Sequence, residues 1–340
     1  MPDIATLRER NATFWAQAAP GWIRHADLQD DAGRPLGAAA MEWLRPRQGE
    51  RILDIGCGCG GTTADLAAAV RPETADASAE PVEPAATMSP AVAVQPAATV
   101  RSAVAVQPAA TVEPVTAAEP AATVGLDGQA YGVDLAESMV LAARERFPAE
   151  RHPGLRFIAA DIETIGVVPG APFDAVFSRM TLMLLADPVA GCTTIRRSLR
   201  PGGRLAATVF RDGGVNPWLP AAMLGAAPHV GAVAPLPLGD EPGPFAFADP
   251  ERVKRILTAA GFDAITIQAH DVILRAPDSP DAVAEWLIEL GPAGAAYRTA
   301  SPPQQANARS GAVRLLSRFH TPGTGYHLPA GHWLITATTT

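Results

Sequence analysis

The chain has 340 residues and a formal net charge of −8, with 48% apolar, 6% aromatic and 18% charged residues, a composition that predicts a folded, water-soluble chain of one or two domains. Alanine supplies 68 residues and only one of the 27 basic residues is a lysine, Lys254, a skew typical of GC-rich coding. A single lysine in an amphipathic run (Glu251–Leu257) leaves none for a G-x-x-x-x-G-K-[ST] phosphate loop and argues against Schiff-base chemistry.

Three cysteines (Cys57, Cys59, Cys192) are too few for a disulfide framework, and the start Met-Pro-Asp-Ile-Ala has no basic, then apolar, leader pattern. No window approaches 18 uninterrupted apolar residues, so no membrane span is expected. The expected compartment is a reducing bacterial cytoplasm. His320, His327 and His332 lack metal-ligand spacing, so no metal site is expected.

In chain order, an N-terminal helical cap is expected over residues 1–45, with a main domain over 46–340. The strand Glu50–Ile55 runs into Gly56-Cys57-Gly58-Cys59-Gly60-Gly61 and then a helix, Thr62–Val70. Glycines here let the backbone turn sharply and approach a ligand at the helix N-terminus. Gly56, Gly58 and Gly61 satisfy the dinucleotide pattern G-x-G-x-x-G, while Asp54, Gly56, Gly58 and Gly60 satisfy D-x-G-x-G-x-G. Asp54 favours the second reading. Its carboxylate would repel a pyrophosphate but attract the ammonium and sulfonium groups of S-adenosylmethionine.

Residues 72–128 interrupt the domain. Pro-Ala-Ala-Thr recurs at Pro84, Pro96, Pro108 and Pro120, and the decapeptide Ala91–Val100 repeats letter for letter as Ala103–Val112. A 12-residue period with a proline in each copy and only Ala and Val to bury cannot build a packed core, so a disordered, polyproline-like insertion is expected. It holds seven acidic residues and Arg101, which leaves the rest of the chain near neutral.

Past the insertion, Ala130–Asp134 reads as a second strand ending in a carboxylate placed for ribose hydroxyls, followed by a helix, Glu137–Phe147. A third strand, Leu155–Ala160, ends at Asp161-Ile162, suited to an adenine amino group and ring. A fourth runs Phe173–Ser178 into Arg179-Met180-Thr181, and a fifth, Arg204–Phe210, follows Leu199-Arg200-Pro201-Gly202-Gly203. Strand six is expected at Phe262–Gln268. Strand seven is expected at Gly331–Thr338, after a helical excursion over 278–319 that would form a substrate lid.

These motifs together (Leu53–Gly60, Gly132–Asp134 with Ser138-Met139, Ala160-Asp161, Phe173–Arg179 and Leu199–Leu205) resemble the class I S-adenosylmethionine-dependent methyltransferases. The similarity is to the bacterial small-molecule branch that includes the ubiquinone and menaquinone C-methyltransferases. It implies an α/β, Rossmann-like, doubly wound seven-stranded sheet of order 3-2-1-4-5-7-6 with the last strand antiparallel. It also implies S-adenosylmethionine as cofactor, held by Asp54, Gly56, Cys57, Gly58, Gly60, Asp134, Met139, Asp161, Ile162 and Ser178.

Trp15, Trp22, Trp43, Trp218 and Trp286 fall in the segments expected to cover the crevice, which suggests an apolar acceptor pocket. Methyl transfer by in-line displacement to a small apolar or aromatic metabolite is the expected reaction. His25, beside Asp27, is the first candidate base and Arg179 a candidate for orienting the acceptor; His229 and Tyr297 are weaker. Asn216-Pro217-Trp218 is similar to a motif of amino-methylating nucleic-acid enzymes but follows the fifth strand instead of the fourth, and no Arg cluster with interleaved aromatics suggests nucleic acid. The cysteines do not suit thiol-based metalloid methylation. Two alternatives stand beside this reading: a nicotinamide-dependent oxidoreductase, and a non-catalytic cofactor-binding or interaction protein that uses the repeat.

Overall fold

A computed structural model describes residues 3–72, 128–233, 236–237 and 239–340. The repeat insertion and its expected disorder lie almost wholly outside the described residues. The chain opens with two helices, α1 (Ile4–Arg24) and α2 (Ala26–Leu44). Asp3 caps α1 by accepting a 2.7 Å hydrogen bond from the Thr6 amide, which satisfies one of the free N–H groups of the first turn.

Alternating strands and helices follow: β1 (Arg51–Ile55), α3 (Gly61–Val70), β2 (Gln129–Asp134), α4 (Glu137–Arg146), β3 (Leu155–Ala159), β4 (Phe173–Arg179), α5 (Pro188–Ser198) and β5 (Leu199–Phe210). Next come α6 (Trp218–Val230), α7 (Pro250–Ala259) and β6 (Asp263–Ala276). The excursion is helical as expected, with α8 (Pro280–Leu290), α9 (Gly294–Thr299) and α10 (Pro302–Leu316), and the chain returns through β7 (His320–Thr321) and β8 (Gly325–Thr338). Three helix starts combine a proline in the first turn with a polar cap, Asp187, Asp249 and the Ser301/Gln304 capping box, so local sequence sets those boundaries.

The strand order is β3-β2-β1-β4-β5-β8-β6, with β7 paired to the end of β8. This is the expected order, with β8 as the seventh strand and antiparallel to both neighbours. The sheet has eight strands instead of seven because the two residues of β7 pair with Gly325 and Tyr326.

Two elements are longer than expected. β6 extends past Gln268 to Ala276 and β8 begins at Gly325, so the β6–β8 ribbon continues beyond the rest of the sheet. In the fold, Gly331 lies against Val215 and Pro329 sits in register opposite Ile273, its carbonyl accepting the Trp218 indole N–H at 2.9 Å.

Adjacent strand residues point to opposite faces, and both faces are apolar. Ile52, Ala130, Phe157 and Phe177 pack under Leu44 of α2, Leu66 of α3 and Val140 of α4. Leu53, Val133, Val176 and Leu205 pack under Ile195 of α5 and Leu257 of α7. A strand buried on both sides reads as a continuous apolar run, as Ile52-Leu53 and Ala175-Val176-Phe177 do. Each Val, Leu, Ile or Phe side chain so removed from water contributes about 1.5–3 kcal/mol.

The chain leaves this unit at Val70 and returns beside it at Gly128. A Cβ added to Gly128 would lie 2.1 Å from the Val70 carbonyl oxygen.

Candidate active site

Parallel pairing of β1 with β2, with Asp54 opposite Gly132 and Ile55 opposite Val133, brings the two following loops together. Gly56 has φ +72°, and a Cβ there would fall 2.0 Å from Thr181 Oγ1, so both the backbone conformation and the space require glycine. The Asp134 carboxylate then ties the loops: Oδ2 accepts from the Gly58 amide at 2.9 Å and Oδ1 from the Ala136 amide at 2.8 Å.

The two loops open a cavity of about 140 Å³ at the carboxyl ends of the strands. It is lined by Asp54, Gly56, Cys57, Gly58, Asp134, Met139, Asp161 and Ile162 of the expected cofactor set. Two members of that set are placed elsewhere. Gly60 is the N-cap of α3 and packs on Phe157, while Ser178 is buried within the sheet and donates to the Ile55 carbonyl at 3.2 Å.

Charge is the main chemical character of this cavity. Asp30, Asp54, Asp134, Asp161 and Glu163 face it, against one guanidinium, Arg179. Asp54 is fully buried, with Thr63 Oγ1 donating to it at 2.7 Å, and burial pushes its carboxyl up to about 7. Burial also raises Asp134, against the two amides that hold its charged form. A ligand bearing positive charge relieves this crowding of carboxylates and a pyrophosphate aggravates it, so the residues fit S-adenosylmethionine and disfavour a nicotinamide dinucleotide.

Sequence reasoning missed Asp30. It lies within the acidic run Asp27–Asp31 and reads as part of a solvated helix face. In the fold it sits against the start of α3, where a Cβ on Gly61 would meet Asp30 Oδ2 at 2.1 Å. Arg146 Nη2 donates to it at 3.0 Å and Arg179 Nη2 at 3.4 Å.

A larger cavity of about 340 Å³ adjoins the first. Trp15 and Trp22 of α1 and Leu36 of α2 line both, as do Met180 and Leu184 after β4. Met180 has φ +59°, a strained conformation for a side chain of this size, and its amide is held to the Thr208 carbonyl at 2.8 Å. Trp218 and Trp286 also line the larger cavity, as expected, whereas Trp43 is part-exposed and faces neither.

The candidate base is placed elsewhere. His25 faces neither cavity; it lies at the α1–α2 junction, where its Nε2 is 3.1 Å from Glu289 of α8. Arg24 Nη1 donates to the other Glu289 oxygen at 2.7 Å, so this buried carboxylate fastens the cap to α8. Arg179 lies on the side of the smaller cavity. His229 and Tyr297 face neither cavity; the Tyr297 hydroxyl donates to Glu285 at 3.2 Å. Asn216 is buried and clamps Gly331 through both its amide oxygen and nitrogen.

The thiols are quiescent. Burial pushes Cys57 far up, Cys59 to about 11 and Cys192 to about 12, so none supplies thiolate at neutral pH. Burial holds His332 down at about 4, and among the described residues no group of His, Cys, Asp and Glu could hold a metal ion. None of the described helices is long and apolar enough to cross a membrane.

Comparison with known proteins agrees with this geometry. A family described as "Methyltransferase domain" matches residues 114–207, and one described as protein-L-isoaspartate(D-aspartate) O-methyltransferase matches residues 32–92. Both descriptions are of methyltransferases, and the chain is similar to the class I methyltransferases of the bacterial small-molecule type, whose cofactor, S-adenosylmethionine, is the ligand that the carboxylates of the smaller cavity fit.

Nocamycin O-methyltransferase of Saccharothrix syringae is 26% identical over 279 residues, which cover 79% of this chain and 80% of that protein. Aklanonic acid methyltransferase DauC of Streptomyces sp. is 27% identical over 188 residues, covering 55% and 60%. A Haemonchus contortus phosphoethanolamine N-methyltransferase 2 solved with S-adenosyl-L-methionine aligns over 90% of this chain and 52% of its own, with 17% identity and a TM-score of 0.45.

Proposed function

We propose that this methyltransferase of small metabolites acts on an oxygen of a largely apolar, acidic acceptor. The observation that carries the reading is the lining of the larger cavity. Among its described residues there is no His, Cys, Lys, Tyr or Asp, and the charged side chains are Arg10 and Glu241. A pocket so poor in bases suits an acceptor that ionises by itself near or below neutral pH, such as a carboxylic acid or the acidic enol of a β-dicarbonyl group, because no proton then has to be removed by the protein. The names of the two relatives, an O-methyltransferase and a methyltransferase of an acid, point the same way.

Bound in the smaller cavity, the cofactor supplies a methyl group already activated by the sulfonium charge. Asp54, Asp134 and Asp161 are the carboxylates that would hold its cationic and hydroxyl-bearing parts, with Gly56, Cys57, Gly58, Met139 and Ile162 shaping the walls. The chain's contribution to rate is positioning. Trp15, Trp22 and Met180 close the seam and exclude water, and alignment of this kind can be worth effective molarities on the order of 10⁵–10⁸ M. Arg179 adds positive potential on the cofactor side.

In this reading residues 1–45 are a cap, 46–340 the catalytic domain, 72–128 an insertion and 278–319 a lid that supplies Trp286 to the pocket. The protein works in the cytoplasm, without nucleic acid; its unpaired cysteines suit a reducing compartment. Incubation with methyl-labelled S-adenosylmethionine and a panel of aromatic acids, enols and amines tests the reading. Label appearing as methyl esters or enol ethers is expected; label confined to nitrogen or carbon products overturns it.

A further inference from the structure

We infer that Gln29 holds the acceptor oxygen at the point where the two cavities meet, an assignment that rests on the acidic-acceptor reading above. Gln29 lies on α2 and lines both cavities. The polar side chains common to both linings are Asn11, Gln29 and the two indoles of Trp15 and Trp22. Asn11 already donates its Nδ2 to the Leu184 carbonyl at 2.8 Å, and Trp22 Nε1 donates to the Leu290 carbonyl at 3.2 Å. The Gln29 side-chain amide and the Trp15 indole make no hydrogen bond among the described residues, and of the two it is Gln29 that shares the surroundings of Gly33 with the Arg179 guanidinium.

One helical turn on, Gly33 leaves open the space this amide faces. A Cβ there would lie 3.6 Å from Gln29 Nε2 and 3.4 Å from Arg179 Nη1, so an amide donor and a guanidinium flank the same gap. Two N–H donors, one of them charged, suit an anionic oxygen. The amide does not titrate, so Gln29 orients the acceptor and takes no proton from it.

The test uses full-length protein saturated with S-adenosylhomocysteine, titrated calorimetrically with 2-naphthoate and with its uncharged analogue 2-methylnaphthalene. Wild type is expected to bind 2-naphthoate at least tenfold more tightly. Gln29→Leu, which keeps volume and helix propensity, is expected to lose about tenfold for 2-naphthoate, the size expected of a hydrogen bond to a charged group, and nothing for 2-methylnaphthalene. Gln29→Met gives an independent copy of the same measurement, and a far-UV circular dichroism spectrum and melting temperature equal to those of the wild type show that each variant is folded. If wild type does not prefer 2-naphthoate, the acidic-acceptor reading falls and the Gln29 assignment with it. If the preference is present and both variants retain it, the reading stands and the Gln29 assignment alone is overturned.

Discussion

Replacing Asp54 by Asn separates the stability cost of the buried carboxylate from its use in binding. Raising a carboxyl from 3.8 to about 7 weakens its acidity roughly a thousandfold, and at about 1.4 kcal/mol for each factor of ten the fully ionised group destabilises the fold by on the order of 4 kcal/mol. Between pH 4 and pH 7 the folded protein binds this proton more tightly than the unfolded chain does. The group therefore lowers stability progressively as pH rises through that window, and the loss is complete just above pH 7. Water entering the open crevice screens part of this, which leaves about 2 kcal/mol as the change between pH 5 and pH 8. Asn keeps the shape, can accept the Thr63 hydroxyl through its own oxygen, and has no charge to desolvate.

Thermal melts of the cofactor-free protein check this directly. The advantage of D54N over wild type should widen between pH 5 and pH 8 by about 3 °C, the shift that about 2 kcal/mol produces in a domain of this size. In binding, the order reverses. Wild-type affinity for S-adenosylmethionine should climb as pH rises from 6 to 8, with proton release below pH 7, because the cation selects the ionised carboxylate. D54N should bind at least tenfold more weakly at pH 8 and show a flat profile over that range. A melting gap that does not depend on pH would refute the assignment of a raised carboxyl to Asp54. Equal affinities with equal slopes would refute its contact with the cofactor.

Three further outcomes follow from the same contacts. Gly56→Ala places a methyl into Thr181 and forces a positive φ on alanine, so cofactor affinity measured by calorimetry should fall more than tenfold while the far-UV circular dichroism stays that of the wild type. Glu289→Gln removes the charge that holds Arg24 and leaves a neutral amide against His25; with the Arg24 guanidinium largely exposed, the expected loss is about 1–3 kcal/mol in denaturant melts, below the cost of breaking a fully buried pair. Excising residues 73–126 and joining the ends with a short Gly-Ser linker should leave melting temperature and methyl transfer unchanged, since Val70 and Gly128 already lie side by side. A cofactor-binding defect in that variant would instead assign the repeat to the catalytic unit.

Much of the cofactor side is legible from local sequence, because each piece is a strand end followed by a loop. Asp54, Asp134 and Asp161 close β1, β2 and β3 or follow directly after, and parallel pairing puts consecutive strand ends on one edge whatever the details of packing. The same logic misplaced Ser178. It also closes a strand, but its side chain points into the sheet and satisfies the Ile55 carbonyl, and period-two alternation alone does not say which face carries the ligand.

The contribution of α2, which reaches both cavities, was not legible, for a different physical reason. Asp30, Gln29 and Gly33 lie on a helix whose composition, rich in Ala, Gly and Asp, marks no special face, and they become a site only because α2 crosses the sheet with its small residues inward. Its small residues are what let it approach: a Cβ on Gly37 would lie 3.1 Å from the Phe177 ring, and Gly33 faces Arg179. That close approach sets Asp30 against the start of α3, where it holds Arg179 and Arg146, and sets Gln29 at the seam between the cavities. His25, the more chemical-looking residue in sequence, is carried by the same geometry to the outer junction and fixed there by Glu289. The α2 crossing thus positions the acceptor relative to the cofactor, and it does so through residues whose types give no warning. A Gly33→Leu substitution should therefore block methyl transfer with S-adenosylhomocysteine binding retained; if both were lost together, α2 would be part of the cofactor site alone and the seam would lie elsewhere.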